Sequence, residues 1–520
     1  MSDINRRHLI GAGLAAPALL SIGSRADAAS AADPFTLGVA SGEPVPDGMV
    51  LWTRLAPRPL EGDGGMPPIA VPVRWEIAQD ARFANIVRHG QAIADPDWGH
   101  SVHVEVGGLR PDRRYWYRFI SGGVVSPVGR TRTAPLPGAP VDRLRIVFSS
   151  CQKYEAGYYA AWRHAVADDP DLIFFLGDYI YEAAPADGGV RRHLNPEPFD
   201  VPGYRVRYAT YKLDPLLQGA HAAAPWVVTW DDHEVANDYA DDLDEHNGDR
   251  AAFLRRRAAA YKVYWEHMPL RRSARPVGPS ARLYRTLDWG RLAQFQIVDD
   301  RQWRSGHPCQ PPELLAQHRD YKTLVTDCAE RHDPARTILG AEQEAWLGEA
   351  LGATRARWNL LTQQTLMTSY ARIDPAHPDQ GPQYWSVDSW GGYPAARERI
   401  LRRWRDARTP NPLVLSGDIH SFAATDMADP DAPERLLASE FVGGSITSLF
   451  HDAVFKQSTM LNPGFRFAEN EVRGYGLAEL RPTHATIDFR GLRDARDPNS
   501  PISSIARFAV EAGKAGLSIA

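Results

Sequence analysis

The chain is expected to fold as an α/β layered domain, β-sheets flanked by helices, behind a small N-terminal β-sandwich. Short apolar runs recur after residue 140: LRIVFS (144–149), DLIFFL (171–176), WVVTW (226–230), LAQFQIV (292–298), WNLL (358–361) and PLVL (412–415). Runs this apolar suit strands buried on both faces. Helical-looking segments, 157–167 and 341–350, lie between them, which is the alternation of a layered α/β domain. Before residue 135 the pattern changes to strict alternation, as in VPVRWEI (71–77) and VHVEV (102–106), the mark of half-buried strands.

The extreme N-terminus reads as an address rather than as fold. Arg6 and Arg7 precede an apolar stretch from Leu9 to Gly23, and Ala26-Asp27-Ala28 offers a small-x-small cleavage site. Residues 1–28 therefore resemble a twin-arginine export signal, a Sec signal being the alternative. The apolar stretch is too short and too rich in Gly and Ala for a stable membrane span. No later segment is long and uncharged enough to cross a bilayer, so no transmembrane anchor is expected in the mature form.

Residues 34–135 form the expected β-sandwich. Its run from Leu109 to Arg118 resembles the corner of a fibronectin-III-like sandwich, where a Tyr hydroxyl ties back to the preceding turn. The Pro-rich stretch 134–140 then marks a boundary before the α/β domain, 141–500. Residues 477–480 and 485–489 look like a closing β pair. The segment 501–520 reads as a short helix, a candidate lid over a cleft.

Length, charge and cysteines narrow the function. A chain of 520 residues exceeds one ordinary core. A formal net charge of -5 offers no basic footprint, so specific nucleic-acid binding is not expected. An exported protein favours paired cysteines. Cys309 and Cys328 are close in a polar, loop-like region and are expected to form a disulfide, which leaves Cys151 as a lone thiol.

The chemistry lies where the apolar runs end. LRIVFS runs into Ser150 and Cys151, DLIFFL into Gly177-Asp178 and Tyr181, WVVTW into Asp231-Asp232-His233-Glu234, and PLVL into Asp418 and His420. One acidic run is usually a solvated loop. Several, each at a strand exit and each offering Asp, His, Tyr or Cys, point to a metal site, because sites in α/β sheets form beyond the carboxyl ends of strands. Such a cluster suits phosphate-ester hydrolysis. Metals neutralise the anionic ester and acidify a water, and a His protonates the departing alkoxide.

These motifs resemble those of the PhoD-like alkaline phosphatase/phosphodiesterase family, a purple-acid-phosphatase-like branch of the metallophosphoesterases. Gly177-Asp178-x-x-Tyr181, Asp231-Asp232-His233-Glu234 and Gly417-Asp418-Ile419-His420 stand in the places of the superfamily's motifs, and Ser149-Ser150-Cys151 replaces the first one. The resemblance continues through residues 205–238 and 440–448 and covers nearly the whole chain.

The resemblance implies a catalytic domain of metallophosphoesterase-like fold and a cluster of one Fe3+ and two Ca2+. Cys151 and Tyr181 would be thiolate and phenolate ligands to iron, and Asp178 the bridge to calcium. Asp418 and His420 would complete the cluster, with the ion bound by each left open. Asp232 and Asn237 are further candidate ligands, although Asn237 is equally readable as a helix cap. Asp231 is either a ligand or a support for one, and Glu234 is more a structural residue than a catalytic one. His233 would contact the phosphoryl and leaving-group oxygens. Arg301 and Arg205, with Arg207 and Arg304, are candidates for gripping the substrate phosphate, since a guanidinium offers a bidentate fork.

The implied activity is hydrolysis of phosphate monoesters and diesters by a periplasmic or secreted enzyme that leaves the cell through the twin-arginine machinery. A phospholipase D acting on lipid headgroups is the alternative. A non-catalytic binding protein is less favoured, because every ligand motif is intact. No Gly-x-Ser-x-Gly elbow supports a serine hydrolase.

Overall fold

Each apolar run becomes a strand, and successive side chains of a strand serve different layers. In this computed structural model, which describes residues 33–246, 248–311, 322–450 and 452–520, a ten-stranded sheet faces a seven-stranded one. The centre of the first sheet is parallel: Leu144–Ser149, Leu172–Leu176, Trp226–Thr229 and Val39–Val45 lie side by side. The second sheet has a parallel centre of Ala293–Ile297, Trp358–Thr362, Pro412–Ser416 and Ala432–Gly443.

Alternation sorts the residues. Ile146, Phe148, Phe174 and Val227 of the first sheet meet Phe295, Leu360, Leu413 and Phe441 of the second in one dry core. Val147, Phe175 and Val228 point the other way, into a core with the helices Ala160–Ala167, Val201–Lys212, Pro215–Ala223 and Arg250–His267. Leu361 and Val414 likewise turn outward to Ala341–Ala353 and Pro394–Ala407. The layers therefore run helix, sheet, sheet, helix, as the apolar runs predict.

The N-terminal sandwich shares its inner sheet with the rest of the molecule. Val39–Val45, Gly48–Arg54 and Ser101–Val106 extend the ten-stranded sheet. They pack Met49 and Leu51 against Val73, Ile77, Tyr117 and Phe119 of the five-stranded sheet. The Tyr corner is present: the Arg110 amide donates to the Tyr115 hydroxyl at 3.0 Å. All described residues belong to one unit, Asp33–Ala520.

Cys309 and Cys328 form the expected disulfide, with Cα atoms 6.0 Å apart. The export-signal call, 1–28, lies outside the described residues. Among the described residues no helix is long and apolar enough to cross a membrane.

One expectation is overturned. The C-terminal segment is a strand, Ile502–Glu511, paired along His484–Leu492, followed by Ser518–Ile519. Its alanines favour a helix locally. Phe508 and Val510, two residues apart, instead complete the inter-sheet core, and that burial outweighs propensity. No residue of 501–520 lines the cleft described below.

His103 shows how burial fixes protonation in the sandwich. Its ring stacks on Trp265 at 3.8 Å and its Nδ1 bonds the Leu270 carbonyl at 3.0 Å. Burial pulls its pKa down to about 3, so it stays neutral in the fold. Below its unfolded value near 6.5 the unfolded chain takes up a proton that the fold refuses. Stability is full above that value and falls as pH drops towards 3. Urea titrations at pH 7 and pH 5 should show the wild type losing about 2 kcal/mol more than His103→Gln over that interval. Equal losses would show that His103 is not held neutral.

Candidate metal centre

The parallel strands of both sheets end at one edge, and the backbone there is built for close approach. Ser150 bridges to Ser445 across the sheets. A Cβ on Gly417 would lie 2.4 Å from Ser150 Oγ, and one on Gly177 (φ 101°) 2.3 Å from the Asp231 Cβ. Only glycine lets these turns nest.

The residues that follow are strained. Cys151 (φ 58°), Asp178 (57°), Asp238 (52°), Asp418 (63°) and His420 (49°) all adopt the left-handed conformation. Each such residue costs on the order of 1–2 kcal/mol. Strain persists where surrounding structure imposes it, and it gathers at functional sites.

This geometry brings the predicted ligands together. Ligand atoms of Cys151, Asp178 and His420 lie within 4.8 Å of one another, as do those of Asp178, Asp232 and His233, and those of Asp231, Asp232 and Asp418. The Tyr181 hydroxyl joins the first group, donating to Asp178 Oδ2 at 2.6 Å and lying 2.8 Å from His420 Nε2. Ser448 Oγ donates to it at 2.7 Å, and Ser150 Oγ lies 2.9 Å from Cys151 Sγ.

His233 is oriented by Glu182, whose Oε2 is 2.7 Å from Nδ1, and its ring packs 4.0 Å from that of Tyr181. Glu234 is structural, as expected: its carboxylate accepts from the amides of Asp178 at 3.1 Å and Asp231 at 2.7 Å, tying two strand exits together.

The charges are out of balance. Burial raises the carboxyls of Asp231, Asp232, Asp238 and Asp418 above their ordinary range, and repulsion within the group adds to the rise. Burial also opposes charge on Asp178, but His233 and His420 outweigh it and hold the carboxyl at about 2. Burial likewise opposes charge on His233, and Glu182, Asp232 and Asp178 reverse it, raising the imidazole well above its usual value.

Arg301 lies buried beneath this cluster, bonded through Nε to Asp231 and through Nη1 to Asp388 Oδ1 at 2.6 Å. One guanidinium cannot neutralise so many carboxylates. Asp178 Oδ1 and Asp231 Oδ2 are buried with no hydrogen-bond partner. Unpaired buried oxygens beside a thiol, a phenol and an imidazole fit bound cations. Carboxylate oxygens suit a hard ion such as calcium, and the thiolate–phenolate pair suits iron.

The arginines differ from expectation. Arg205 does not reach the cleft. Its Nε and Nη2 clamp Glu266 at 2.7 Å each, because a buried carboxylate on the neighbouring helix captures the fork. Arg207 holds the Tyr181 and Asn195 carbonyls instead of a phosphate. Arg301 and Arg304 both bond Asp388, so they serve as countercharge below the cluster rather than as groups facing a substrate.

Asn237 lines the cleft, with its amide nitrogen bonded to Glu245 at 2.6 Å. Asp238 and Asp388 also line it and were not foreseen. Asp238 adjoins the acidic motif and could have been added. Asp388 follows no apolar run and carries no sequence signal. Glu182, the partner of His233, sits one residue beyond Tyr181.

The cleft is a cavity of about 370 Å³ with two characters. Asp178, Asp232, Asp238, Asp388 and Asp418 line it, and so do the apolar or aromatic Leu366, Tyr370, Ile419, Phe450 and Phe455.

This layered fold, with a thiol, phenol, imidazole and carboxylate cluster at its strand exits, defines a class of enzyme, the phosphoric ester hydrolases. The chain belongs to the PhoD-like phosphatase family: the model of that family matches residues 146–489, and that of its N-terminal domain matches residues 21–135. It is 44% identical over 495 residues to alkaline phosphatase D of Bacillus subtilis (strain 168), covering 93% of this chain and 82% of that protein. A solved structure described as that of PhoD superposes with a TM-score of 0.87 at 42% identity, covering 94% of this chain and 92% of the other.

Arg301→Gln tests the countercharge role. Removing the guanidinium strands Asp231 as a buried charge and leaves Asp388 to Arg304 and His307. Urea unfolding of the metal-stripped variant should show a loss of about 3–5 kcal/mol against metal-stripped wild type. A change under ~1 kcal/mol would mean that the carboxylates are neutral without it.

Proposed function

We propose that the protein is an exported phosphatase and phosphodiesterase that hydrolyses phosphate monoesters and diesters at a cluster of one Fe3+ and two Ca2+. The convergence of Cys151, Asp178 and His420, with Tyr181 bonded to two of them, carries this reading. Cys151, Tyr181 and His420 would hold the iron, with Asp178 shared between iron and calcium. Asp231, Asp232, Asp418 and Asn237 would serve calcium. Asp238 and Asp388 lie close enough to join or support them. Bound there, the cations would neutralise the phosphoryl oxygens and make a water acidic enough to act at working pH.

The chain's own groups do the rest. Glu182 fixes the orientation of His233 and stabilises its charge. Nε2 of His233 has no partner among the described residues and is available to give a proton to the departing ester oxygen. Ser448 and Ser150 orient Tyr181 and Cys151 by hydrogen bonds. The twin-arginine route suits a protein that folds around iron before it leaves the cell.

A second reading, a phospholipase D acting on lipid headgroups, is favoured by the apolar lining of Leu366, Tyr370, Phe450 and Phe455. Hydrolysis of a choline phospholipid at a rate equal to or above that of bis(p-nitrophenyl) phosphate would support it over a soluble diester.

Elemental analysis of the mature protein purified without added metal should find about one iron and about two calcium per chain. Cys151→Ser should lose the iron and at least ~100-fold in kcat, with calcium retained. A Cys151→Ser enzyme with full iron and full rate would remove the thiolate from the scheme. Zinc or manganese in the wild type would overturn the ligand assignment while leaving the hydrolase.

A further inference from the structure

His233 and His420 line a second cavity as well as the first. It measures about 450 Å³ and is lined also by Tyr181, Lys153, Glu155, the 186–190 turn, Leu449 and Arg496. The two cavities differ in charge. Six aspartates, Arg372 and apolar side chains line the first, whereas the second sets Lys153 and Arg496 beside Glu155 and Asp187.

The acids of the second cavity are already engaged. Glu155 Oε1 accepts from the amides of Ala186 at 3.2 Å and His193 at 3.1 Å, and Asp187 pairs with Arg192 at 3.0 Å. Lys153 is different. Its backbone is pinned: its amide donates to Ser448 Oγ at 3.1 Å, and its carbonyl accepts from Thr447 Oγ1 at 2.8 Å. Its ammonium lies 5.7 Å from the Tyr181 ring centroid and makes no hydrogen bond or ion pair with any described residue. Arg496 has no ion pair either and is exposed at the rim. Gly188 leaves open space along the opposite lip, where a ligand can approach the backbone. A half-buried ammonium on an anchored backbone, held beside the reacting end of the cleft and given no internal partner, is set for an anion from outside the chain.

We propose that this second cavity is a subsite for another anionic group of the substrate, held by Lys153 and steered by Arg496. The inference rests on the phosphodiesterase reading and deepens it: the preferred substrate is a polyanionic phosphodiester, with its neutral or apolar arm against Tyr370 and Phe450 and its charged arm beside Lys153.

The test compares two chromogenic diesters, the p-nitrophenyl ester of thymidine 5′-phosphate with and without a 3′-phosphate. The ratio of their kcat/KM values is measured on the metal-loaded enzyme. In the wild type the 3′-phosphate should raise kcat/KM about tenfold, chiefly through KM, and the advantage should shrink as salt rises. Lys153→Gln should bring the ratio close to one, and Lys153→Arg should restore most of it. A wild-type ratio near one, with both esters cleaved, overturns the subsite and leaves the phosphodiesterase intact. A ratio that survives Lys153→Gln overturns the assignment to Lys153. Cleavage of neither ester, by protein shown to carry its metals, removes the phosphodiesterase reading itself and the subsite with it.

Discussion

The dry core between the two sheets is the constraint on which the rest of the molecule depends. Phe148 stands at its centre. Its ring occupies the space left by Gly443 and Gly476, where a Cβ would come within 2.7 Å and 2.2 Å of ring carbons. Phe174 meets Phe295 at 4.8 Å, and Phe441, Phe489 and Phe508 continue the contact. Because the sheets stack at this depth, the strand that ends at Cys151 and the strand that ends before Asp418 stop at the same edge. A looser core would separate Ser150 from Gly417, and the thiol would no longer share a centre with His420.

At that edge the fold holds an arrangement that is unfavourable in isolation. Left-handed backbone at Cys151, Asp178, Asp418 and His420 costs energy locally, and burial of many carboxylates around Arg301 costs more. Packing on both faces of the sheets is the source of stability that sustains it. The strain has a use: each left-handed residue turns its side chain back over the strand end instead of outward to water. Burial without full hydrogen bonding then leaves carboxylate oxygens at Asp178 and Asp231 without partners, as a cation site requires.

The same edge organises substrate access. His233 and His420 line both the acidic cavity and a second one beside it. On the proposed reading, a phosphate bound there would meet the acidic cluster and the His233–Glu182 pair at once. Beyond the catalytic strands, Val39–Val45 pairs directly with Trp226–Thr229. The N-terminal sandwich thus stiffens the sheet that carries Asp231 and Asp232, and this gives a mechanical reason for its presence.

Local chemistry made much of this readable in advance. Apolar runs located the strands to within a residue or two, because a strand buried on both faces tolerates little else. The residues at their exits named the candidate ligands that the fold brings together, because a strand end positions its next side chains. Partnerships across long separations were not readable. Arg205 looked like a phosphate ligand until Glu266, far along the chain, was seen to occupy it. Arg301 and Arg304 proved to be countercharges through Asp388, a residue marked by no pattern. The C-terminal strand escaped for the same reason, since its helix-favouring alanines are overruled by Phe508 in a core built from distant residues. The sequence by itself determined the strands, the disulfide and the candidate ligand residues, which follow from periodicity and neighbouring residues. The tertiary structure alone decided which charges meet, because ion pairs and edge pairing depend on distances that no single stretch of chain encodes.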